Sequence, residues 1–290
     1  MDFSQAYALL NRTKSQPWLD AEIARVGDAQ WGAMGREIMG VAVDDPLLWA
    51  NRMVELENGH WALCGIRFRG GDVAKPFVDI IAHSLIDGAD HFAVCAPVLA
   101  EYAAFQPLGM RIFVSGQPEA SWCVDRLIVS GTLKDMAQVP AVNKVELVSA
   151  DSAQLACDSA EIYAEIFRSR PEHASFAAPV SAEELASCMG FQVVIDGQKA
   201  GVIACEYRQE REGEGFVVIE LCLNSTFRGR GFAPEVHREM VRKILGAGYS
   251  ESTEYFGHID PRNKASFSAA IAAGRKVTGA FVWSDSRLMH

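Results

Sequence analysis

One segment, Leu221 to Pro234 (LCLNSTFRGRGFAP), constrains the fold of this chain more than any other. The continuous apolar run FVVIELCLN that feeds it is suited to a central strand. The run passes through Arg228-Gly229-Arg230-Gly231-Phe232-Ala233 straight into a helix pattern, with Pro234 in its first turn and Gly246 near its end. Glycines at 229 and 231 let the backbone bend tightly and bring its N–H groups close to a ligand. Those amides, with the unpaired donors and positive dipole end of the helix, form an anion cradle suited to a pyrophosphate. The plain alternative is a glycine-rich turn that only connects strand to helix. Two nucleotide-binding signatures are absent. The dinucleotide fingerprint fails because Pro234 stands where it needs glycine or alanine, and the P-loop fails for want of Gly-Lys-Ser/Thr.

The surrounding pattern is regular from Lys144 onward. KVELV reads as a strand and Ala153 to Arg168 as a helix. FQVVIDGQKAGVIACEY reads as two strands around an Asp196-Gly197 hairpin turn, and the polar stretch RQEREGEG separates them from the central strand. A strand (TEYFGHI), a helix from Lys264 to Ala273 and a last strand (KVTGAFVW) complete the order β-α-β-β-β-α-β-α-β. The first half is mixed α and β. Strands are predicted at Gly59 to Arg69, Phe77 to Ala82, RIFVSG and WCVDRLIVSG, and a helix through PVLAEYAAF. Gly131 to Asn143 is the best linker candidate, so the expected domains are 1–140 and 144–290 of an α/β protein.

Composition narrows the function. A chain of 290 residues, 49% hydrophobic and 22% charged, fills a sizeable core and is not intrinsically disordered. Its 37 acidic against 27 basic residues give a net charge of −10, which argues against a general nucleic-acid or anionic-membrane binder, the RGRG string notwithstanding. Neither a secretory signal nor an 18-residue apolar span is predicted. Seven scattered cysteines, never spaced CxxC, read as buried free thiols in a reducing cytoplasm rather than disulfides or a metal cluster.

The sequence from Lys144 to His290 resembles the GNAT superfamily of acyl-CoA-dependent N-acyltransferases. The family's pyrophosphate motif is Gln or Arg, then Gly three residues later and Gly or Ala five later, and Arg228, Gly231 and Ala233 match it. A second signature, Asn followed by Ala or Ser at three and Gly at eleven, matches Asn263, Ser266 and Gly274. The resemblance implies a GNAT fold in the C-terminal half. It also implies acetyl-CoA as co-substrate, no metal, and transfer of an acetyl or other short acyl group to a primary amine of a small molecule or peptide by direct attack. The alternative is an acyl-CoA-binding module without turnover. The N-terminal half is read as a degenerate second copy, with an unrelated α/β substrate domain as the alternative; its nearest phosphate-like string, IRFRGG at Ile66 to Gly71, lacks the spacing.

The same resemblance assigns candidate roles. Cofactor contacts fall on the backbone of Leu221, Cys222 and Leu223, on Arg228, Gly229, Arg230, Gly231, Phe232 and Ala233, and on Asn263. An alkyl amine is mostly protonated at neutral pH, so a base is required, and His258 and Glu220 are the candidates. Glu220 inside an apolar strand is expected to have a raised pKa. Where many relatives carry a tyrosine acid this chain has Ala270; Ser266 is a substitute, with Tyr255 or Tyr207 as further options, and Arg275 replaces the usual aromatic after the glycine.

Overall fold

A computed structural model describes residues 15–85, 91–140 and 145–284. The chain separates into two compact units. Unit 1 takes in the chain up to Asp125, the turn Glu210–Glu212 and the chain from Gly279 onward; unit 2 takes in Arg126–Gln209 and Gly213–Thr278.

Unit 1 opens with helices α1 (Gln16–Ala24) and α2 (Ala29–Met39). Each starts where a side-chain oxygen accepts from the first-turn amides: Ser15 from Trp18 N–H, and Asp28 from Gln30 and Trp31 N–H. Strands β1 (Arg52–Glu55), β2 (Trp61–Phe68) and β3 (Pro76–His83) follow, then short helices α3 (His91–Cys95) and α4 (Val98–Glu101), then β4 (Met110–Ser115). The strands lie in the order β1-β2-β3-β4. Pairs β1/β2 and β2/β3 are antiparallel and β3/β4 parallel. The unit is completed by Gly279–Trp283, the end of strand β11 (Lys276–Trp283), which runs antiparallel to β4. Leu19, Trp61, Leu63, Ile81 and Ala82 form one of its apolar clusters.

Unit 2 begins inside strand β5 (Cys123–Thr132) and continues through α5 (Leu133–Ala137), β6 (Val145–Ser149), α6 (Ser152–Ser169) and α7 (Ala182–Leu185). Then come β7 (Met189–Ile195), β8 (Gln198–Glu210), β9 (Gly213–Leu223), α8 (Phe232–Gly246), β10 (Glu254–Ile259) and α9 (Lys264–Ala272). Its strands lie in the order β5-β10-β9-β8-β7-β6. The hairpin β7/β8 turns at Asp196 (φ 50°) and Gly197 (φ 73°), both in the left-handed region that a tight Asp-Gly turn requires. Helix α8 lays Val236, Met240, Val241 and Ile244 against Val193, Ile195, Ile203, Cys205 and Phe216 of the sheet. Helix α6 covers the other face, with Leu155, Ile162 and Ile166 against Val202, Ala204 and Cys222. The α/β class is present, and so is the element order predicted from residue 144 onward, with one helix, α7, added between α6 and β7.

Several expectations are corrected. The segment expected to link the domains is structured: Gly131 and Thr132 end β5, and the Thr132 hydroxyl accepts from Asp135 N–H to start α5. Leu133 and Met136 of α5 belong to the unit 2 core, so the unit begins at Arg126 rather than at 144; residues 141–144 lie outside the described residues. The predicted helix through PVLAEYAAF is only one turn, Val98–Glu101, followed by a 3-10 turn at Ala103–Phe105. The polar RQEREGEG stretch, expected to separate the hairpin from the central strand, is itself mostly strand, since β8 and β9 run into it, and Arg211 and Glu212 at the turn are buried. No described helix is long and apolar enough to cross a membrane.

Candidate functional site

Two adjacent parallel strands of unit 2 part company. Strand β10 pairs with β9 only at Glu254↔Gly215, Tyr255↔Phe216 and Phe256↔Val217, although β9 runs on to Leu223 and β10 to Ile259. On its other side β10 stays in register with β5 through Ile259↔Leu127. A gap therefore opens between Val218–Leu223 and Gly257–Ile259. Their facing backbone edges no longer pair with each other.

Strand β9 is also irregular at this point. Phe216 and Val218 pack on the α8 side, and so do Leu221 and Leu223. Glu220 and Cys222 face α6. Strict alternation cannot place both 218 and 221 on one face, so one extra residue is accommodated near Ile219, as in a β-bulge. On β10, Tyr255 touches His237 of α8 and Ile259 packs with Ala270 of α9, so Tyr255, Gly257 and Ile259 face those helices. Phe256 and His258 take the opposite face by alternation, which is the side Glu220 takes.

The cradle predicted from the sequence lies at the open end of this gap. After Leu223 the chain turns through Asn224, whose carbonyl accepts from Phe227 and Arg228 N–H at 3.1 and 3.2 Å. Gly229 (φ 72°) and Gly231 (φ 80°) then hold left-handed conformations, and a Cβ built on either meets nothing within 4 Å. Gly231 caps α8 without any side-chain hydrogen bond. Among the described residues, no acceptor is bonded to the backbone N–H of Gly229, Arg230, Gly231, Phe232 or Ala233. Five consecutive amides, three in the turn and two in the first turn of α8, are thus free, with open space at the two glycines, the arrangement an anion needs. Phe227 and Phe232 are buried beneath and fix the turn, with the Arg230 guanidinium over both rings at 5.9 and 5.4 Å. Arg228 lies 3.5 Å from Glu165 of α6, a half-exposed pair that holds its charge beside the loop.

The candidate bases are placed differently. Glu220 is buried; its Oε2 accepts from the Ser159 hydroxyl at 2.8 Å and its Oε1 from the Tyr163 hydroxyl at 3.3 Å, both on α6. Burial pushes its carboxyl up to about 7, partly offset by those hydroxyls and by the Leu221 amide. His258 is exposed, opposite Ile128 of β5. Asn263 is the N-cap of α9, and its Oδ1 accepts from Ser266 N–H at 3.1 Å, so that oxygen is engaged by the helix start. Leu221, Cys222 and Leu223 lie on β9 beyond its last pairing with β10. Tyr207 is exposed near the other end of β9, its hydroxyl 2.8 Å from Glu214, and is not brought to the gap.

Two groups escaped the sequence reading. Ser159 and Tyr163 show no signal beyond helical spacing four apart. Arg275 was visible only as a charge in an aromatic position, yet it is buried, with its Nη2 2.9 Å from Nε2 of buried His237. His237 Nδ1 lies 3.1 Å from the Tyr255 hydroxyl.

No family model matches this chain and no curated protein does. Solved structures do. An acetyltransferase of the GNAT family from Colwellia psychrerythraea is 14% identical over 77% of this chain and 84% of its own, with a TM-score of 0.46. A GCN5-related N-acetyltransferase from Sphaerobacter thermophilus is 15% identical over 94% and 95%, with a TM-score of 0.47. An aminoglycoside N-acetyltransferase in complex with CoA is 16% identical over 48% of this chain and 93% of its own, with a TM-score of 0.34.

Proposed function

We propose that this chain transfers an acetyl or another short acyl group from acyl-CoA to a primary amine of a small molecule or peptide. The observation that carries the reading is the row of free amides from Gly229 to Ala233 at the open end of the β9/β10 gap. In this reading those amides and the α8 dipole bind the pyrophosphate, and Arg228 and Arg230 add charge in a chain whose net charge is −10. The edge of β9 at Leu221–Leu223, unpaired with β10, bonds the amide-bearing arm. The bulge leaves donors near the thioester carbonyl, where negative charge develops during attack.

Glu220 is the preferred base. A carboxyl held at about 7 takes a proton from an ammonium-bearing acceptor without being locked in its charged form at neutral pH. Ser159 and Tyr163 orient it. His258 shares its face of the sheet and is the second candidate, on the solvent side. No enzyme nucleophile is required: nitrogen attacks the carbonyl carbon, the C–S bond breaks, and holding the two reactants together supplies much of the rate. The chain's free cysteines suit a reducing compartment such as the cytoplasm.

Thermal melting with acetyl-CoA, CoA and adenosine tests the cradle: the pyrophosphate-bearing ligands raise the midpoint and adenosine does not. Thiol release across a panel of amines then tests turnover. Stabilisation without release from any amine would favour the binding-module reading; no stabilisation would remove both.

A further inference from the structure

Arg275 is a cation kept out of water without an anion. It is 4% exposed, and among the described residues no carboxylate lies within ion-pair distance. Its Nη2 has a single partner, Nε2 of His237, and its Nε has none. This contact sets the tautomer of His237: Nε2 must accept from the guanidinium, so Nδ1 carries the proton and donates to the Tyr255 oxygen. Burial and then Arg275 and Arg238 keep that imidazole neutral, its pKa well below the ordinary value. The guanidinium is thereby aimed by a buried chain, Tyr255–His237–Arg275, with its Cζ 5.4 Å from the centroid of the Tyr255 ring.

The place it is aimed at is the floor of the gap. A Cβ on Gly257 would sit 3.2 Å from Arg275 Nη1 and 3.6 Å from Val218 Cβ, and Val218 and Gly257 are the first residues past the last β9/β10 pair. Nη1 makes no hydrogen bond among the described residues. Arg275 lies on the α8/α9 side of the sheet, whereas Glu220 lies on the α6 side. A base on one face and an unpaired cation on the other are what a displacement through the gap uses. The amine enters beside the carboxylate; the leaving sulfur departs beside the cation.

We propose, on the acyl-transfer reading above, that Arg275 is the catalytic group that stabilises the departing CoA thiolate. The balance is complete without a proton donor: the ammonium proton passes through Glu220 to water, the neutral amine nitrogen then bonds the carbonyl carbon and gives a second proton to Glu220, and the C–S electron pair leaves on sulfur as thiolate beside the guanidinium. Burial lowers the Arg275 pKa only to about 10, so the group stays charged at neutral pH. His237 is a positioning residue that fixes its direction.

The test is the ionisation of CoA bound to the full chain, read from ultraviolet difference absorbance of the thiolate between pH 6 and 10. An opposite charge close by lowers a pKa by about 1–3 units. The thiol of CoA bound to the wild type should titrate at least about one unit below that of CoA bound to R275M, with R275K between them. R275M should fold, because replacing a buried unpaired charge by an apolar chain removes its desolvation cost. Its kcat should fall on the order of a hundredfold with little change in KM for acyl-CoA. Equal thiol pKa values in wild type and R275M, or an unchanged kcat, would overturn the role of Arg275 while leaving the cradle intact. Failure of CoA to bind the wild type would overturn the underlying reading and this inference with it.

Discussion

The two units share one strand plan and furnish it differently. In unit 1 the antiparallel strands β1, β2 and β3 lead to the parallel pair β3/β4, to which β11 adds an antiparallel strand. In unit 2 β7, β8 and β9 lead to the parallel pair β9/β10, to which β5 adds an antiparallel strand. Each unit thus takes its last strand from the other half of the sequence. Even the parallel register matches, holding for Val78–Ile80 against Met110–Ile112 and for Gly215–Val217 against Glu254–Phe256. The shared plan supports unit 1 as a second copy of the same architecture.

The segment between the two parallel strands separates the units. After β9 come two glycines at positive φ and a helix of 15 residues with a free start. Between β3 and β4 the described helices are one turn or little more. The paired glycines of unit 1, Gly70 and Gly71, have positive φ as well, but they sit in the β2/β3 hairpin. A gap between strands belongs to the plan; a row of free amides belongs to the loop beyond it.

The buried carboxylates of the two units make the contrast electrostatic, and the largest expected effects test it. Burial would raise Asp79 of unit 1, but Arg111 at 3.1 Å and Arg211 at 3.6 Å hold it down from 3.8 to about 2. A depressed pKa stabilises the fold above the ordinary value, and that stability is lost as pH falls towards 2. Asp79→Asn leaves buried Arg211 without its ion-pair partner and Arg111 with Asp125 alone, and should cost about 3–5 kcal/mol at pH 7 in denaturant unfolding. Glu220 of unit 2 is shifted the other way, from 4.5 to about 7, so its burial costs stability progressively as pH rises through that window. Glu220→Gln should therefore stabilise the protein above pH 7 by up to about 3 kcal/mol, the gain vanishing below about pH 4.5, while turnover is lost. A loss of stability at alkaline pH in that variant would contradict the assignment.

The loop contrast comes next in size. Gly231→Val puts a branched side chain at φ 80° into the space beside the free amides, and affinity for CoA should fall on the order of a hundredfold by titration calorimetry. Gly71→Val, at φ 73° in unit 1, should leave CoA affinity unchanged and lower only the melting point. Equal losses in both would erase the distinction. The smallest effect is expected at Glu165, which holds Arg228 at 3.5 Å and accepts from Ser225 N–H at 3.4 Å. Glu165→Ala should tighten CoA binding a few-fold at low salt, an effect screened at higher ionic strength.

Much of this architecture was legible in the sequence, for a local reason. The cradle depends on glycine pairs, a strand before them and a helix after, all within Leu221 to Pro234, and the strands and helices from residue 145 obey simple periodicity. Features that depend on distant partners were not legible. Periodicity along 216–223 gives one apolar strand, but the change of face near Ile219 is set by α6 on one side and α8 on the other. Gly131 to Asn143 looks like a linker because nothing nearby shows that β5 will pair with β10. RQEREGEG is polar along its length and does not show a buried turn, because the anion beside Arg211, Asp79, stands far away in the sequence. Arg275 is polar by type and buried by its neighbours. Asn263 matches a motif, yet its oxygen serves the α9 cap.

The central claim is that main-chain amides at the start of α8 grip a pyrophosphate, and amide chemical shifts report on it directly. In a nitrogen-15 spectrum of the full chain titrated with CoA, the resonances of Gly229, Arg230, Gly231, Phe232 and Ala233 should move most, downfield as expected of amides bonded to phosphate oxygens, while Gly70 and Gly71 stay in place. Saturable CoA binding that shifts other amides and leaves those five unmoved would contradict the account.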